Sequence, residues 1–531
     1  MRTVIRQAVR LVLGAALCVL GSAALAATAD HTKFKELQGP FSSGEEVTRA
    51  CLSCHTEAAK QVMATRHWTW EYENPLDGTR LGKRTMINAF CIGDRPNQAF
   101  CQSCHVGYGW QDDSFDFTAE EKVDCLACHN TGGYRKLAGL AGHPAYERME
   151  YPPKSGKFVD ATDLEWVAQH VGATSRETCG SCHYAGGGGD GVKHGDLDSS
   201  LNAPPRELDV HMAADGLNFA CSECHKAEEH VVPGSRIAMT AADPHGPIRR
   251  GQHSDRNPAT CQSCHGDKPH KQSFLHAERL NAHTDTLACQ TCHIPAFSRG
   301  GVPTKMAWDW SEAGRMNADG KPFQLKDDDG HVIYDSKKGS FILGENVVPH
   351  YQWFNGEITY STLDTVIDPS APVPINTFHG DARDPRARIW PFKLFHGRQP
   401  YDVEHRQLLV PHVATHALEG SDTAFWLNFD WPKALQAGAE ANNRQFSGNF
   451  DFVDTRMLWP ITHMVAPAEQ AVACQECHSA SGRLAGVPGI YVPGQDGNQL
   501  VRTLGWLAVI GALLGVLVHA TIRILTHKRG N

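Results

Sequence analysis

The pattern Cys-x-x-Cys-His occurs eight times in this chain of 531 residues and restricts its fold more than any other feature. In chain order, the first to eighth motifs are Cys51/Cys54/His55, Cys101/Cys104/His105, Cys125/Cys128/His129, Cys179/Cys182/His183, Cys221/Cys224/His225, Cys261/Cys264/His265, Cys289/Cys292/His293 and Cys474/Cys477/His478. Two thiols at this spacing can add to the two vinyl groups of one haem, and the next histidine can bind its iron. A zinc site needs four ligands per metal and does not require a histidine after every cysteine pair. The repeats predict eight covalently attached haem c groups, each with its iron bound by the motif histidine.

Eight haems would fill much of the interior with porphyrin, so the usual count of independent cores for this length does not apply. Such motifs generally sit on short helices, and the chain between them is rich in Gly, Pro and Asp, which favour loops. Runs such as HVIYD and EITYS, bounded by Gly, Asp and Ser, predict a few short β-hairpins. The expected fold class is a mainly α multihaem cytochrome c with extensive loops, few short β-hairpins and one C-terminal transmembrane helix.

Both ends of the chain indicate export and attachment to a membrane. The N-terminus combines arginines, an apolar run over 11–25 and the small-residue site Ala24-Leu25-Ala26, which is typical of a signal peptide. Residues 503–522 contain no charged side chain and are long enough to span a bilayer. More positive charges follow this run than precede it, which predicts a cytoplasmic tail. The haem-bearing part is therefore expected on the periplasmic side of the cytoplasmic membrane.

These features divide the chain into five predicted parts. They are a signal peptide at 1–26, a haem domain with haems 1–7 at 27–300, a haem-free insert covering the haem stack at 301–465, the haem 8 segment and linker at 466–500, and a transmembrane anchor at 503–525. The net charge of −9 gives no indication that the chain binds nucleic acid.

A low-spin electron-transfer haem needs a second strong ligand on its distal side, and neutral imidazole is the usual choice. The preferred distal ligands are His67, His194, His211, His230, His270, His283 and His463. Because this set provides seven ligands for eight haems, one haem remains available to a substrate and is the candidate catalytic centre.

Cys91 belongs to no motif and is the most informative single residue. Cys18 lies in the signal peptide and leaves with it, so the mature chain offers no partner for an internal disulfide. Four basic residues lie near Cys91 in the sequence: Arg80, Lys83, Arg84 and Arg95. Their charge would favour a thiolate and attract an anionic substrate. The alternative is an inert, buried cysteine beside a solvated basic loop.

This stretch resembles the octahaem tetrathionate reductase family of multihaem cytochromes c. The similar residues include Cys91-Ile92, the second motif with Gly107-Tyr108-Gly109-Trp110, and Tyr134 to Lys136. The similarity continues in CQTCHIPAF (289–297), Trp308-Asp309-Trp310, WPITHMVAP (459–467) and GVPGIYVPG (486–494), and it spans 39–494. It implies a catalytic haem 2 at Cys101 and Cys104, with Lys136 as its distal ligand and Cys91 as the reactive cysteine. It also implies two histidine ligands on the other haems and tetrathionate as the small anionic substrate.

Three questions stay open at this stage. The C-terminal anchor is not part of the family's catalytic pattern, so the chain is either a free reductase or a subunit docked on a membrane cytochrome b or other quinol-oxidising partner. Reduction of nitrite or hydroxylamine is an alternative activity, although no motif here ends in lysine and Cys91 would have no task. A non-catalytic, membrane-anchored cytochrome that passes quinol electrons onward is a further alternative.

Overall fold

The computed structural model describes residues 29–74, 76–90, 93–233, 260–266, 268–271 and 274–527. The signal peptide predicted at 1–26, with Cys18, lies outside the described residues. The reactive cysteine predicted at Cys91 also lies outside them. All eight CxxCH motifs lie inside them.

Most helices are short, and many of them carry a CxxCH motif. They are α1 (Gly44–Leu52), α2 (Ala58–Met63), α3 (Arg66–Thr69), α4 (Gln98–Cys101), α5 (Leu126–His129), α6 (Leu164–Gln169), α7 (Arg176–His183), α8 (Cys221–Cys224), α9 (Cys261–His265), α10 (Phe274–His283), α11 (Cys289–His293), α12 (Phe425–Asn428), α13 (Trp431–Ala441), α14 (Cys474–Cys477) and α15 (Gln499–His527). A capping box starts α7, where Ser175 and Thr178 each accept a hydrogen bond from the other's backbone N–H.

The strands form more sheet than the sequence predicted. They are β1 (Glu71–Glu73), β2 (Arg80–Gly82), β3 (Met149–Glu150), β4 (Phe158–Val159), β5 (Thr304–Asp309), β6 (Gln324–Lys326), β7 (Val332–Asp335), β8 (Gly339–Gly344), β9 (His350–Phe354), β10 (Ile358–Tyr360), β11 (Val373–Pro374), β12 (Asn376–Phe378), β13 (Arg388–Asp402), β14 (Gln407–Leu408) and β15 (Phe450–Pro460). Nine of them join in one sheet whose main path runs β11-β15-β13-β5-β8-β7-β6, with β9 and β14 also paired to β13.

The expectation of a mainly α fold with a few short hairpins is therefore wrong in its estimate of the sheet. The central pair, β13 and β15, is antiparallel from Phe392 opposite Pro460 to Asp402 opposite Phe450. Most residues of β13 are buried, including neighbours that point to opposite faces. Because both faces of this strand are covered, its sequence lacks the alternation of apolar and polar residues by which a half-exposed strand is recognised.

The largest hydrophobic core packs the sheet against the segment that precedes Cys91. The ring of Phe90 lies 4.1 Å from that of Phe395 on β13 and 5.9 Å from that of Trp459 on β15, measured between centroids. Trp308 and Trp310 stack at 4.9 Å in the same core. The tryptophan-rich part of the chain thus builds the core of the sheet and holds Phe90 against it.

The C-terminal helix α15 stands apart from these cores. Leu500–Thr526 is long and apolar enough to cross a membrane, and none of its hydrophobic window is buried inside the protein. Asn498 caps the helix, since its side-chain oxygen accepts a hydrogen bond from the Leu500 N–H at 2.9 Å.

Candidate haem sites and redox centre

Seven of the eight motif histidines face a second histidine, and the space between the two rings is wide enough for one metal ion. The distances between ring centroids are 6.4 Å for His55 and His31, 6.3 Å for His183 and His67, 6.3 Å for His129 and His230, 6.0 Å for His265 and His211, 6.2 Å for His225 and His463, 6.2 Å for His293 and His270, and 6.1 Å for His478 and His283.

These separations fit two imidazoles that bind one iron from opposite sides. An imidazole nitrogen binds a transition metal at about 2.0–2.1 Å, and the ring centroid lies about 1.1 Å further away, so two such rings have centroids about 6.3 Å apart. In the part of the chain that the structure describes, no group of three or more His, Cys, Asp or Glu side chains could hold a metal ion. A pair of imidazoles suffices for haem, because the porphyrin supplies the other four ligands.

The outer ring nitrogens of several paired histidines are held by hydrogen bonds. Three motif histidines donate from Nδ1 to backbone carbonyls: His129 to Gly172 (2.9 Å), His225 to Pro233 (3.0 Å) and His478 to Pro493 (2.9 Å). Two facing histidines donate from Nδ1 to side-chain amides: His230 to Gln61 (2.9 Å) and His270 to Asn281 (3.1 Å). A proton fixed on Nδ1 leaves the Nε2 lone pair available to a metal. The residues present therefore fit haem at these motifs.

The histidines that face a motif histidine include His31, which the predicted set lacked. The preferred set included His194, but this ring lies 5.0 Å from Trp459 in an edge-to-face contact. His31 was not in the set, and it is the histidine that faces His55 of the first motif. The sequence carried one signal for this pairing, because His31 is the only histidine between the signal peptide and the first motif. The other six predicted distal residues each face a motif histidine.

The second motif is the exception, because no facing imidazole accompanies His105 among the described residues. Instead, the His105 Nε2 donates to the backbone carbonyl of Trp68 at 2.7 Å. The ring is 1% exposed and packs against aromatic rings, with Trp110 nearest at 4.6 Å. Burial lowers the pKa of His105 to about 3, so the imidazole is neutral at physiological pH. In this arrangement the nitrogen that the sequence expects to face iron is held by Trp68.

Lys136 reaches the same motif with its amine. The Nζ donates to the backbone carbonyls of His105 and Gly107, the latter at 3.0 Å. It also lies 3.0 Å from the Asp124 carboxylate, and the two side chains are 6% and 0% exposed. Lys136 is thus fixed within the buried surroundings of the second motif.

Asp124 is the centre of a buried polar network around Lys136. The hydroxyls of Tyr108 and Tyr134 donate to its two oxygens at 2.7 Å and 2.8 Å. Burial, followed by the nearby Asp124 charge, raises the pKa of both phenols well above the ordinary value, so both remain protonated donors. Because Asp124 immediately precedes Cys125, the network also joins the surroundings of the second and third motifs.

Motif cysteines from different haem sites lie near one another and so define an order of neighbours. Four pairs are within hydrogen-bonding reach: Cys51 with Cys125, Cys104 with Cys182, Cys179 with Cys221, and Cys261 with Cys289. Three further pairs are near enough to interact electrostatically: Cys128 with Cys179, Cys224 with Cys264, and Cys292 with Cys477. The motifs therefore adjoin in the series first, third, fourth, fifth, sixth, seventh and eighth, and the second motif adjoins the fourth.

Three of the four basic residues that lie near Cys91 in the sequence are paired with carboxylates. Arg84 and Arg95 both pair with Asp113, at 3.2 Å and 2.5 Å. Arg80 and Arg84 lie 3.4 Å and 3.6 Å from Glu71. The prediction considered only the cations close in sequence, and the fold brings carboxylates from 71 and 113 onto them.

Two lysines that the sequence did not single out lie beside Phe90 instead. The Nζ of Lys393 is 5.5 Å and that of Lys193 is 5.9 Å from the Phe90 ring centroid. Lys393 is fully buried and donates to the carbonyls of Val192 and Lys193, both at 3.0 Å. Burial lowers the pKa of Lys393 well below the ordinary value, although Asp196 opposes this. No local sequence signal identifies these residues, because they come from distant parts of the chain.

The chain is similar to known bacterial cytochromes c. A protein-family description named "Cytochrome c bacterial" matches residues 305–481, which include most of the sheet and the eighth motif. No curated protein matches the chain. Among solved structures, the octahaem cytochrome c from Shewanella oneidensis is similar, with a TM-score of 0.75 and 38% sequence identity. The superposition covers 88% of this chain and 99% of that chain.

Proposed function

This chain belongs to the octahaem cytochrome c family and binds haem c covalently, and from that premise we propose that it is a periplasmic, membrane-anchored reductase. The leading substrate is tetrathionate, which two electrons convert into two thiosulfate ions. The proposed redox centre is the second motif, where Cys101, Cys104 and His105, together with Lys136, would hold a haem. The six predicted distal histidines that face a motif histidine, together with His31, are proposed to seal the other seven irons.

The observation that carries this proposal is the difference between the second motif and the others. Seven motif histidines each face an imidazole, whereas His105 is held by Trp68 and the nearby amine is Lys136. An iron with two imidazole ligands has no site for a substrate. Among the residues that the structure describes, the second motif alone lacks this pair of imidazoles, so a substrate site is proposed there.

The chain's own residues would hold and position this centre. Covalent haem c supplies one-electron transfer when it is bound. Lys136 must be neutral to bind iron, and the Asp124 carboxylate at 3.0 Å is placed to receive or return the amine's proton. Tyr108 and Tyr134 hold Asp124 in place through their hydroxyls. Lys136, Asp124 and the tyrosines thus control the protonation and the position of the amine.

Cys91 is proposed as the nucleophile on the strength of the sequence. Its thiolate would attack a central sulfur of tetrathionate, forming a Cys–S–S–SO₃⁻ adduct and releasing one thiosulfate. Two electrons would then break the new sulfur–sulfur bond, restoring the thiolate and releasing the second thiosulfate. The balance requires no additional oxidant, and the electrons come from the donor of the respiratory chain.

The neighbouring order of motifs supports a route for those electrons. The second motif adjoins the fourth through Cys104 and Cys182, and the fourth adjoins the fifth through Cys179 and Cys221. Centres held by contacting motifs are close neighbours, so electrons delivered anywhere in the series can reach the second motif through the fourth.

Turnover and spectroscopy of the purified full chain test this function. We expect tetrathionate to be reduced faster than nitrite or hydroxylamine, and the spectrum of one haem in eight to respond to added substrate. Cys91→Ala should lose most of the tetrathionate turnover while keeping all eight haems. Full turnover in that variant would contradict the role of Cys91, and faster turnover of nitrite or hydroxylamine would assign the centre to nitrogen compounds.

Electron transfer without catalysis is a second candidate, and one observation favours it. The Lys136 amine already has three partners, namely Asp124 and the carbonyls of His105 and Gly107, and an amine held in this way could keep a substrate out. A protein that reduces none of the three substrates, and in which no haem responds to any of them, would establish this role.

A further inference from the structure

The eighth motif is packed directly against the chain that leads to the membrane-spanning helix. The His478 Nδ1 donates to the carbonyl of Pro493 at 2.9 Å. Gly494 follows with a φ of +90°, and a Cβ there would lie 2.6 Å from the His478 carbonyl oxygen. Only glycine fits this position without strain. The chain therefore leaves the surface of the eighth motif at Gly494.

Only a short linker separates that point from the helix. Five residues lead from Gly494 to Gln499, where α15 begins, and a fully extended chain of that length spans at most about 18 Å. The linker is not fully extended, because the N–H groups of Gln495 and Asp496 both donate to the Val492 carbonyl at 3.0 Å. The eighth motif is thus held within about 18 Å of the first turn of the helix.

The loop that carries this linker is fastened to the sheet. The Trp353 indole donates to the Pro488 carbonyl at 2.8 Å. Leu484 and Val492 are buried in a cluster with Trp353 and Ile389. This anchorage prevents the motif from swinging away from the base of the helix.

Arg483 ties the eighth motif to the seventh. Its Nε donates to Glu476 inside the eighth motif at 2.8 Å, and its Nη1 donates to the carbonyl of Pro295, two residues after His293. Cys292 and Cys477 are also near enough to interact electrostatically. The eighth motif is therefore one end of the series of neighbouring motifs, with the seventh as its neighbour.

The eighth motif is also accessible to an external electron donor. Gln475 and Glu476, which lie between the two cysteines of the motif, are both exposed at the protein surface. An exposed centre at the end of the series, held near the membrane surface, has the position that an entry point for electrons requires.

We propose that the eighth motif is the electron entry port, which receives electrons from quinol in the bilayer. This inference rests on the proposed function, because it assumes that α15 is inserted in a membrane. Each quinol gives up two electrons and two protons and becomes a quinone. The electrons enter one at a time at the eighth motif and continue through the seventh, and the protons go to the aqueous phase.

Full-length protein in phospholipid vesicles that contain menaquinol tests the port. Cys474→Ala combined with Cys477→Ala removes the eighth haem, and Cys51→Ala combined with Cys54→Ala is the matched control at the opposite end of the series. We expect the first variant to be reduced by menaquinol at least tenfold more slowly than the control, while dithionite in the aqueous phase reduces both at equal rates. Equal menaquinol rates for the two variants, or a vesicle-bound wild type that menaquinol does not reduce, would overturn the port.

A second variant keeps every haem and changes only the distance to the bilayer. A flexible Gly/Ser spacer of about 20 residues has an end-to-end distance of about 25 Å. Inserted after Gly497 it should weaken the quenching of a headgroup fluorophore by haem, whereas the same spacer after Gly330, in the exposed β6–β7 turn, should leave the quenching unchanged. Equal quenching by both variants would overturn the port. Wild type that does not float with vesicles at all would instead refute the membrane anchor of the proposed function.

Discussion

The second and eighth motifs have the same five-residue pattern and opposite surroundings. At the eighth motif, His478 is exposed, faces His283 at 6.1 Å and is held by the backbone of Pro493. At the second motif, His105 is buried among aromatic rings and held by Trp68, and Lys136 brings an amine that lies 3.0 Å from the Asp124 carboxylate. The comparison teaches that the CxxCH pattern determines where haem is attached, while residues distant in sequence determine whether the site conducts electrons or has a place for a substrate.

Among the changes that separate the second motif from the others, replacement of Lys136 should have the largest effect. Because the second motif is proposed to depend on this amine, Lys136→Ala should lower tetrathionate turnover by about 10²–10³-fold. The exposed Lys157→Ala is the control and should leave turnover unchanged. Steady-state kinetics with a constant reductant measures both. Turnover within twofold of wild type, in a variant with all haems attached, would show that the second motif does not need Lys136.

Loss of Lys136 should also destabilise the fold, since Asp124 would be left as a buried carboxylate without the neighbouring amine. Leaving a buried acceptor without one of its partners costs about 1–3 kcal/mol, part of which Tyr108 and Tyr134 offset through their hydrogen bonds. The midpoint of denaturant unfolding should therefore be measured for each variant alongside its kinetics.

The next largest effect is expected at Asp94, which should make the free energy of unfolding depend on pH. Burial raises the pKa of this carboxyl from 3.8 to about 6, opposed by Lys83 and by hydrogen bonds from Gln102 and Cys101. Folding therefore disfavours the charged form of Asp94. The resulting destabilisation is absent below about pH 4 and grows as the pH rises. Above the folded pKa of about 6 it is complete and amounts to about 3 kcal/mol.

Asp94→Asn should accordingly be more stable than wild type at pH 7 and equal to it at pH 4. The exposed Asp329→Asn is the control and should show no such difference. Denaturant unfolding followed by circular dichroism at the two pH values measures both. A gain of the same size at pH 4 and pH 7 would mean that Asp94 is not protonated in the folded protein near pH 5.

The first motif offers a test of the distal histidines. If His31 rather than His194 completes the site of His55, His31→Ala should convert one haem in eight from low-spin to high-spin. His194→Ala should leave the spin states unchanged, and electron paramagnetic resonance distinguishes the two results. The opposite result would restore the assignment that the sequence alone predicted.

A smaller effect should separate two sites that both have paired imidazoles. His463, which faces His225, has the Asp196 carboxylate 3.3 Å from its Nδ1, whereas His270 has the neutral amide of Asn281 at 3.1 Å. Burial would lower the pKa of His463, but Asp196 outweighs it and the net pKa is raised. A carboxylate makes the imidazole a stronger electron donor and so lowers the potential of the haem it binds.

Asp196→Asn should therefore raise the potential of the haem at the fifth motif by about 60 mV, which is a factor of ten for a one-electron couple. The reciprocal change, Asn281→Asp, should lower the potential of the haem at the seventh motif. Spectroelectrochemical titration of both variants measures the shifts. Shifts in the same direction would show that the hydrogen-bond partner of Nδ1 does not set the potentials.

The sequence predicted the haem-attachment sites because their chemistry is local: two thiols and a histidine within five residues. It also predicted six distal histidines that face a motif histidine, but not their pairing, since partners such as His67 and His183 or His225 and His463 lie far apart in the sequence. It missed His31, although this residue lies close to His55 in the sequence. It also missed the carboxylate that neutralises Arg84 and Arg95, because Asp113 follows them by 29 and 18 residues and only the fold brings it onto them. The sequence did not predict the extent of the sheet, because β13 is covered on both faces and shows no alternation of apolar and polar residues.

The most direct test of the central claim is the number of carbon monoxide molecules bound by the fully reduced, full-length protein. Carbon monoxide binds ferrous haem where an axial position is free or held by a displaceable ligand, and two imidazole ligands exclude it. The difference between the second motif and the other seven predicts one carbon monoxide per eight haems, altered in affinity by Lys136→Ala and unchanged by Lys157→Ala. No binding would show that the second motif is sealed like the rest, and binding at several haems would show that the paired imidazoles do not seal theirs.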